Sequence, residues 1–160
     1  MTDGGAWRVV RADPSRLDEI HAIASVSFDA PWSPGAFEEE FRSGEAAIWV
    51  ACDAKDRVHG YLVLRRALDE AHILSLATAP AERRRGVATA LLVHALAVER
   101  ASGARIAHLE VRAKNPEAIG FYARHGFREM GRRRRYYPDG EDAILLATAL
   151  VAPRRAGGSR

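Results

Sequence analysis

The chain of 160 residues holds a single cysteine, Cys52, so it can form neither an intrachain disulfide nor a cysteine metal cluster, which suits a reducing compartment. Cys52 lies in the alternating apolar run "AIWVAC", where a buried structural thiol is expected rather than a nucleophile. No apolar run reaches the ~18 residues of a membrane helix. The opening "MTDGGAWRVVRADP" lacks the apolar stretch of a secretory signal, so the expectation is a cytoplasmic protein with no membrane partner. Two nucleotide signatures are missing as well. The P-loop motif needs a lysine after its last glycine, and the dinucleotide fingerprint needs three spaced glycines. Neither occurs. His59, His72, His94, His108 and His125 show no metal-ligand spacing with an acidic partner, so no metal is expected.

What is present is an ordinary globular composition, 48% hydrophobic and 28% charged. A chain of this length buries roughly 70% of its unfolded surface. The expectation is one domain over residues 1–150 and a frayed tail over 151–160, where "VAPRRAGGSR" has no periodicity. The net charge of +3 permits an anionic partner without identifying one. The basic residues gather at Arg83 to Arg85, at Arg132 to Arg135 and at Arg154 and Arg155, which suggests local anion sites.

Three helix starts share one device, a capping side chain followed by proline: Asp13-Pro14, Ser33-Pro34 and Asn115-Pro116. Glu38 to Glu40 are expected near the positive end of the second helix dipole. Strands are expected over Ala46 to Cys52, Arg57 to Arg65 and about His72 to Thr78, with "DAKD" as a hairpin link, which together read as an antiparallel meander. Val87 to Ala101 has a broad apolar helical face and is closed by Gly103. "RIAHLEVR" alternates, so Ala107, Leu109 and Val111 face one way, and Ile106, His108, Glu110 and Arg112 the other. Strand, helix, strand is a crossover, which makes the flanking strands parallel. In the following helix Asn115, Ile119 and Tyr122 share a face, and "FREMGRRRRYYPDGEDAILLATAL" reads as two strands joined at "PDGE".

The basic turn between strand and long helix, Arg83 to Thr89, offers backbone N–H groups at a helix start, with Gly86 allowing close approach of an anion. On its own it reads more readily as a solvated basic helix start. The wider pattern decides: Arg83-Arg84-Arg85-Gly86-Val87-Ala88 resembles the cofactor motif Q/R-x-x-G-x-G/A of the GCN5-related N-acetyltransferases. The resemblance extends over about residues 6 to 150, and "APWS", "LEVRAKNPEAIGFYARHGF" and "RRRRYYPDGEDAILL" are closest to the RimI-type ribosomal-protein-alanine N-acetyltransferases. It implies a mixed α/β sheet of the GNAT fold. The N-terminal meander is antiparallel, a parallel central pair splays around the cofactor, and a C-terminal hairpin and about four helices complete it.

The resemblance further implies acetyl-CoA as co-substrate. Its pantetheine arm would pair with backbone at Leu76, Ala77 and Thr78, and its pyrophosphate would rest on N–H groups of Arg84, Arg85, Gly86, Val87, Ala88 and Thr89. Asn115 would add a contact. Glu110 matches the general base and Tyr122 the general acid. The acceptor implied is a protein N-terminal α-amine, that of a ribosomal small-subunit protein. Trp32, Tyr136 and Tyr137 would line its groove, and Glu38, Asp139, Glu141 or Asp142 would be available to a basic second residue. Two alternatives stand beside this reading. One is acetylation of a lysine side chain or small amine. The other is a non-catalytic ribosome- or RNA-binding module, for which Arg135-Tyr136-Tyr137 offers interleaved charge and aromatics. Arginines on a strand more often mark a solvated face, so nucleic acid is not the expected partner. The oligomeric state is left open by the sequence.

Overall fold

A computed structural model describes residues 7–150, and the proposed tail 151–160 lies outside them. The strands are β1 (Arg8–Arg11), β2 (Ala46–Cys52), β3 (Val58–Ala67), β4 (Glu70–Thr78), β5 (Ile106–Arg112), β6 (Arg128–Arg133) and β7 (Ala143–Ala149). The helices are α1 (Leu17–Ser27), α2 (Pro34–Ser43), α3 (Val87–Ala101) and α4 (Pro116–Arg124). One mixed, open sheet runs in the order β1-β2-β3-β4-β5-β7-β6. The chain divides into two compact units, one holding the residues up to Arg66 with Ile73–Val98, the other Ala67–His72 with the residues from Glu99 onward.

In the first unit β1 pairs antiparallel with β2, and β2 with β3, and β2 is buried along nearly its whole length, on both faces. The core gathers Ile20, Ile23 and Ala24 of α1, Phe37 of α2, Ile48, Val50 and Cys52 of β2, and Tyr61 and Val63 of β3. Cys52 is fully buried and burial pushes its thiol up, so it is a packing residue. The capping side chains engage, but Asp13 caps a 3-10 turn over Pro14–Arg16, and α1 itself starts behind Arg16 without a side-chain cap. Asp13 accepts from the Ser15 N–H at 2.8 Å and Ser33 from the Ala36 N–H at 3.1 Å. Gly44, at φ 69°, closes α2 in the left-handed region. The dipole reading of Glu38 to Glu40 needs correction, because α2 begins at Pro34 and its first turn holds no acidic residue. Glu40 instead turns inward, where it is buried and accepts from Arg65.

One glycine the sequence reading passed over sets the seat of α3. A Cβ on Gly60 would stand 2.5 Å from Val87 Cγ1, 3.1 Å from Leu91 Cδ1 and 3.1 Å from the Ala77 carbonyl oxygen. Only a bare backbone lets the first turns of α3 pack this closely over β3.

In the second unit β5 pairs antiparallel with β7 over seven residue pairs, from Ile106↔Ala149 to Arg112↔Ala143. β7 also pairs with β6, with a register shift between Glu129 and Gly131. β4 meets β5 in parallel at Glu70↔Ile106, Ala71↔Ala107 and His72↔His108, as the crossover predicts. The alternation of β5 is realised: Ala107, Leu109 and Val111 are buried, and their neighbours half-buried. The "PDGE" turn lies inside a longer connection, residues 134–142. The arginine run therefore does not continue as a strand. β6 stops at Arg133, and Arg135 turns left-handed at φ 53° while its N–H donates to Asp142 at 3.0 Å.

Candidate active site

The first unit presents the basic turn. β4 ends at Thr78, a short 3-10 turn occupies Pro80–Glu82, and α3 starts at Val87. Arg84 and Gly86 both take positive φ, 65° and 85°, which bends the chain sharply into the helix. A Cβ on Gly86 would meet nothing within 4 Å, so glycine is needed here for its dihedral angle and leaves open space for a ligand. At the start of α3 the Ala90 N–H donates to the Gly86 carbonyl at 2.9 Å, and the N–H groups of Val87 and Ala88 lie in the first turn of the helix. The Arg85 N–H is turned to the Glu82 carbonyl at 3.3 Å, and the Arg85 carbonyl accepts from Trp7 Nε1 at 2.9 Å. The Arg85 guanidinium pairs with Glu82 at 2.9 Å, which leaves its main-chain turn fixed from both sides. Leu76 and Thr78 on β4 are half-buried, and Ala77 belongs to the core.

The second unit presents the acid–base candidates. Glu110 is carried on β5 with its side chain 14% exposed, and its Oε1 lies 2.8 Å from His72 Nε2. An ionised carboxylate only accepts, so Nε2 carries the proton of this bond. The His72 ring stacks on His108 at 4.5 Å and 19°, and His108 Nε2 lies 3.3 Å from Glu70 Oε1. Burial, and then the neighbouring His72, lower the His108 pKa, against the opposing charges of Glu70 and Glu110. Tyr122 on α4 is 8% exposed, edge-on to Phe121 and Phe127. Burial pushes its phenol well above the ordinary tyrosine value, so it holds its proton.

The groove candidates separate. Tyr137 lies under the Arg112 guanidinium at 4.1 Å and edge-on to Tyr136. Burial raises its pKa, Arg112 opposes this, and the negative charges of Glu110 and Glu141 add to the rise, which puts Tyr137 within the electrostatic reach of Glu110. Tyr136 is exposed at the surface. Trp32 packs on Phe37 of the first unit at 5.1 Å. Of the acidic residues offered to a basic substrate, Asp139, Glu141 and Asp142 have partners within the chain. Arg112 Nη1 reaches Asp139 at 2.9 Å and Glu141 at 2.8 Å, and Glu141 also accepts from the Lys114 N–H. These hydrogen bonds and Arg112 hold both carboxyls below the usual range. Asp142 accepts from the Arg135 N–H and faces Arg132 at 3.4 Å. Asn115 Oδ1 caps α4 by accepting from the Ala118 N–H at 3.1 Å, so a cofactor contact would have to come from its amide N–H2.

Sequence reasoning placed His108 on the same face as Glu110 and missed His72 beside them. Spacing rules read along one strand, whereas His72 joins Glu110 across the parallel pair, 38 residues away in the chain.

Comparison with known proteins agrees with the geometry. The model of the acetyltransferase (GNAT) family matches residues 17–127. An N-alpha-acetyltransferase of Sulfurisphaera tokodaii is 32% identical over 92% of this chain and 95% of its own length. The ribosomal protein bS18-alanine N-acetyltransferase of Salmonella typhimurium is 37% identical over 75% of this chain and 82% of its own. The crystal structure of the ribosomal-protein-S18-alanine N-acetyltransferase from Escherichia coli superimposes with a TM-score of 0.84 at 27% identity, covering 96% of this chain and 99% of that one.

Proposed function

The chain belongs to the acetyltransferase (GNAT) family, and within it we propose that this enzyme moves the acetyl group of acetyl-CoA to the N-terminal α-amine of a protein, the N-terminal alanine of a ribosomal small-subunit protein. The observation that carries the reading is the half-buried carboxylate of Glu110, fixed by His72 on the same unit as a buried, protonated tyrosine. The relatives named above, which act on bS18 alanine or on α-amines, favour an α-amine over a lysine side chain. On this reading residues 1–150 work as a single acetyltransferase domain in the cytoplasm.

The turn at the start of α3 fits a pyrophosphate: N–H groups in the first turn of the helix, a positive helix end, and open space at Gly86. Charge-assisted hydrogen bonds there contribute about 1.5–3 kcal/mol each, against about 0.3–1 for the dipole, so the directed N–H groups dominate. Backbone at Leu76, Ala77 and Thr78 takes the pantetheine arm, and N–H groups near Leu76 or Ala77 meet the oxyanion.

Glu110 acts as general base. A peptide α-amine has a pKa of about 7.7–8.0, so roughly one molecule in ten is neutral at pH 7, and a modest base is enough. Glu110 takes the ammonium proton, directly or through one water. Nitrogen attack on the thioester carbon forms the carbon–nitrogen bond and its collapse breaks the carbon–sulfur bond; Tyr122 protonates the leaving thiolate, and the second amine proton, released as the amide forms, restores the Tyr122 phenol through solvent. With a phenol above 10 and a thiol near 8.5, that last transfer runs uphill by at least about 2 kcal/mol, unless the thiolate is desolvated too. The burial of Tyr122 supports a dry donor end. A solvent-flooded cofactor sulfur in an acetyl-CoA complex would contradict this step. Thiol release in the presence of a peptide with a free N-terminal alanine, with Glu110→Gln and Tyr122→Phe as controls, tests the assignment.

A further inference from the structure

We propose that His72, His108 and Glu110 form a binding site for a zinc-type divalent metal ion. Parallel pairing sets His72 directly opposite His108, and strand alternation brings Glu110, two residues on, to the same face. One ligand atom from each of the three lies within 4.8 Å of the others. A tetrahedral ion with bonds of about 2.0–2.1 Å needs its ligand atoms about 3.4 Å apart. The His72 Nε2 to Glu110 Oε1 distance, 2.8 Å, opens to that value by a small side-chain rotation. The two imidazoles already stand nearly parallel on paired strands, so little order has to be created on binding.

The donor set decides the kind of ion. Two imidazoles and one carboxylate leave a fourth position for water in a zinc coordination sphere, and two nitrogen ligands disfavour calcium and magnesium, which take oxygen. The His72 and His108 side chains are 32% and 31% exposed, so the ion can enter from solvent and keep its water. Glu70 Oε1, 3.3 Å from His108 Nε2, stands where an outer carboxylate orients a ligating ring. Binding through Nε2 requires the other tautomer of His72, with its proton on Nδ1, because that nitrogen now donates to Glu110.

Occupation of the site would hold the Glu110 carboxylate on the metal and remove it as a base. Binding rests on geometry alone; the loss of turnover rests also on the acetyltransferase reading above. Calorimetric titration of chelator-treated, untagged, full-length chain with zinc chloride tests the first part, with the visible spectrum of the cobalt(II) form as a second readout. One equivalent bound, a tetrahedral cobalt spectrum, and affinity at least about tenfold weaker in His72→Gln and His108→Gln are expected. No stoichiometric binding by the wild type, or unchanged affinity in whichever variants melt cooperatively like it, overturns the site. Chelator-reversible loss of turnover at one equivalent of zinc supports both parts. Zinc bound with full turnover upholds the site and contradicts Glu110 as base.

Discussion

Glu110 Oε1 lies 2.8 Å from His72 Nε2, so its carboxylate is oriented before any substrate arrives. Glu110→Gln keeps the shape and removes the basicity. It should lower kcat about 10²-fold, the lower range for general acid–base catalysis, while the acetyl-CoA dissociation constant stays within about twofold. Tyr122→Phe should do the same, and unchanged turnover in either variant would remove that residue from the mechanism. Burial disfavours the charged phenolate, so the sign of the Tyr122 shift is upward. An ultraviolet titration of wild type minus Tyr122→Phe should place this ionisation above pH 10; a difference signal at or below 10 would contradict the dry donor. Much of this was legible from alternation along "RIAHLEVR", which put Glu110 and His108 on one face. His72 was not, because its neighbour is set by register between strands and not by spacing along one.

Among the elements, the starts of α2 and α4 were the most legible, since a capping side chain and a proline act locally, whereas Asp13-Pro14 opens a 3-10 turn ahead of α1. Val87–Ala101 and Ala46–Cys52 match the expected bounds, whereas the last connection, residues 134–142, exceeds the expected turn. That excess rests on the left-handed Arg135 and its bond to Asp142, a tertiary arrangement that no turn dipeptide encodes. Gly60 was equally invisible, because its role is the close approach of α3 from elsewhere in the chain. Gly60→Ala should destabilise the protein by about 1–3 kcal/mol and, if the α3 start holds the cofactor as proposed, weaken acetyl-CoA binding, since the clash with Val87 and the Ala77 carbonyl displaces that helix start. Denaturant melts and a cofactor titration check both. Asn115 separates two roles by substitution. Asn115→Ala should lose about 1 kcal/mol with the cap. Asn115→Asp keeps the capping oxygen, so it should retain stability and lower acetyl-CoA affinity, and unchanged affinity would leave Asn115 as a cap alone.

For the whole molecule, the family follows from the agreement of motif, strand order and relatives, while composition alone permitted any anion-binding protein. Among the described residues no helix is long and apolar enough to cross a membrane. The acceptor was the least legible feature, because Asp139, Glu141 and Asp142, which might have read a basic substrate, are paired with Arg112, Arg132 and the backbone instead. The most direct test is acetyl-CoA turnover by the full chain on a peptide with a free N-terminal alanine and an internal lysine, beside the same peptide N-terminally blocked, with products mapped by mass spectrometry. The account predicts one thiol released per acetyl group placed on the alanine nitrogen, and no reaction with the blocked peptide. Equal acetylation of the blocked peptide on lysine, or no thiol release with either, would contradict it.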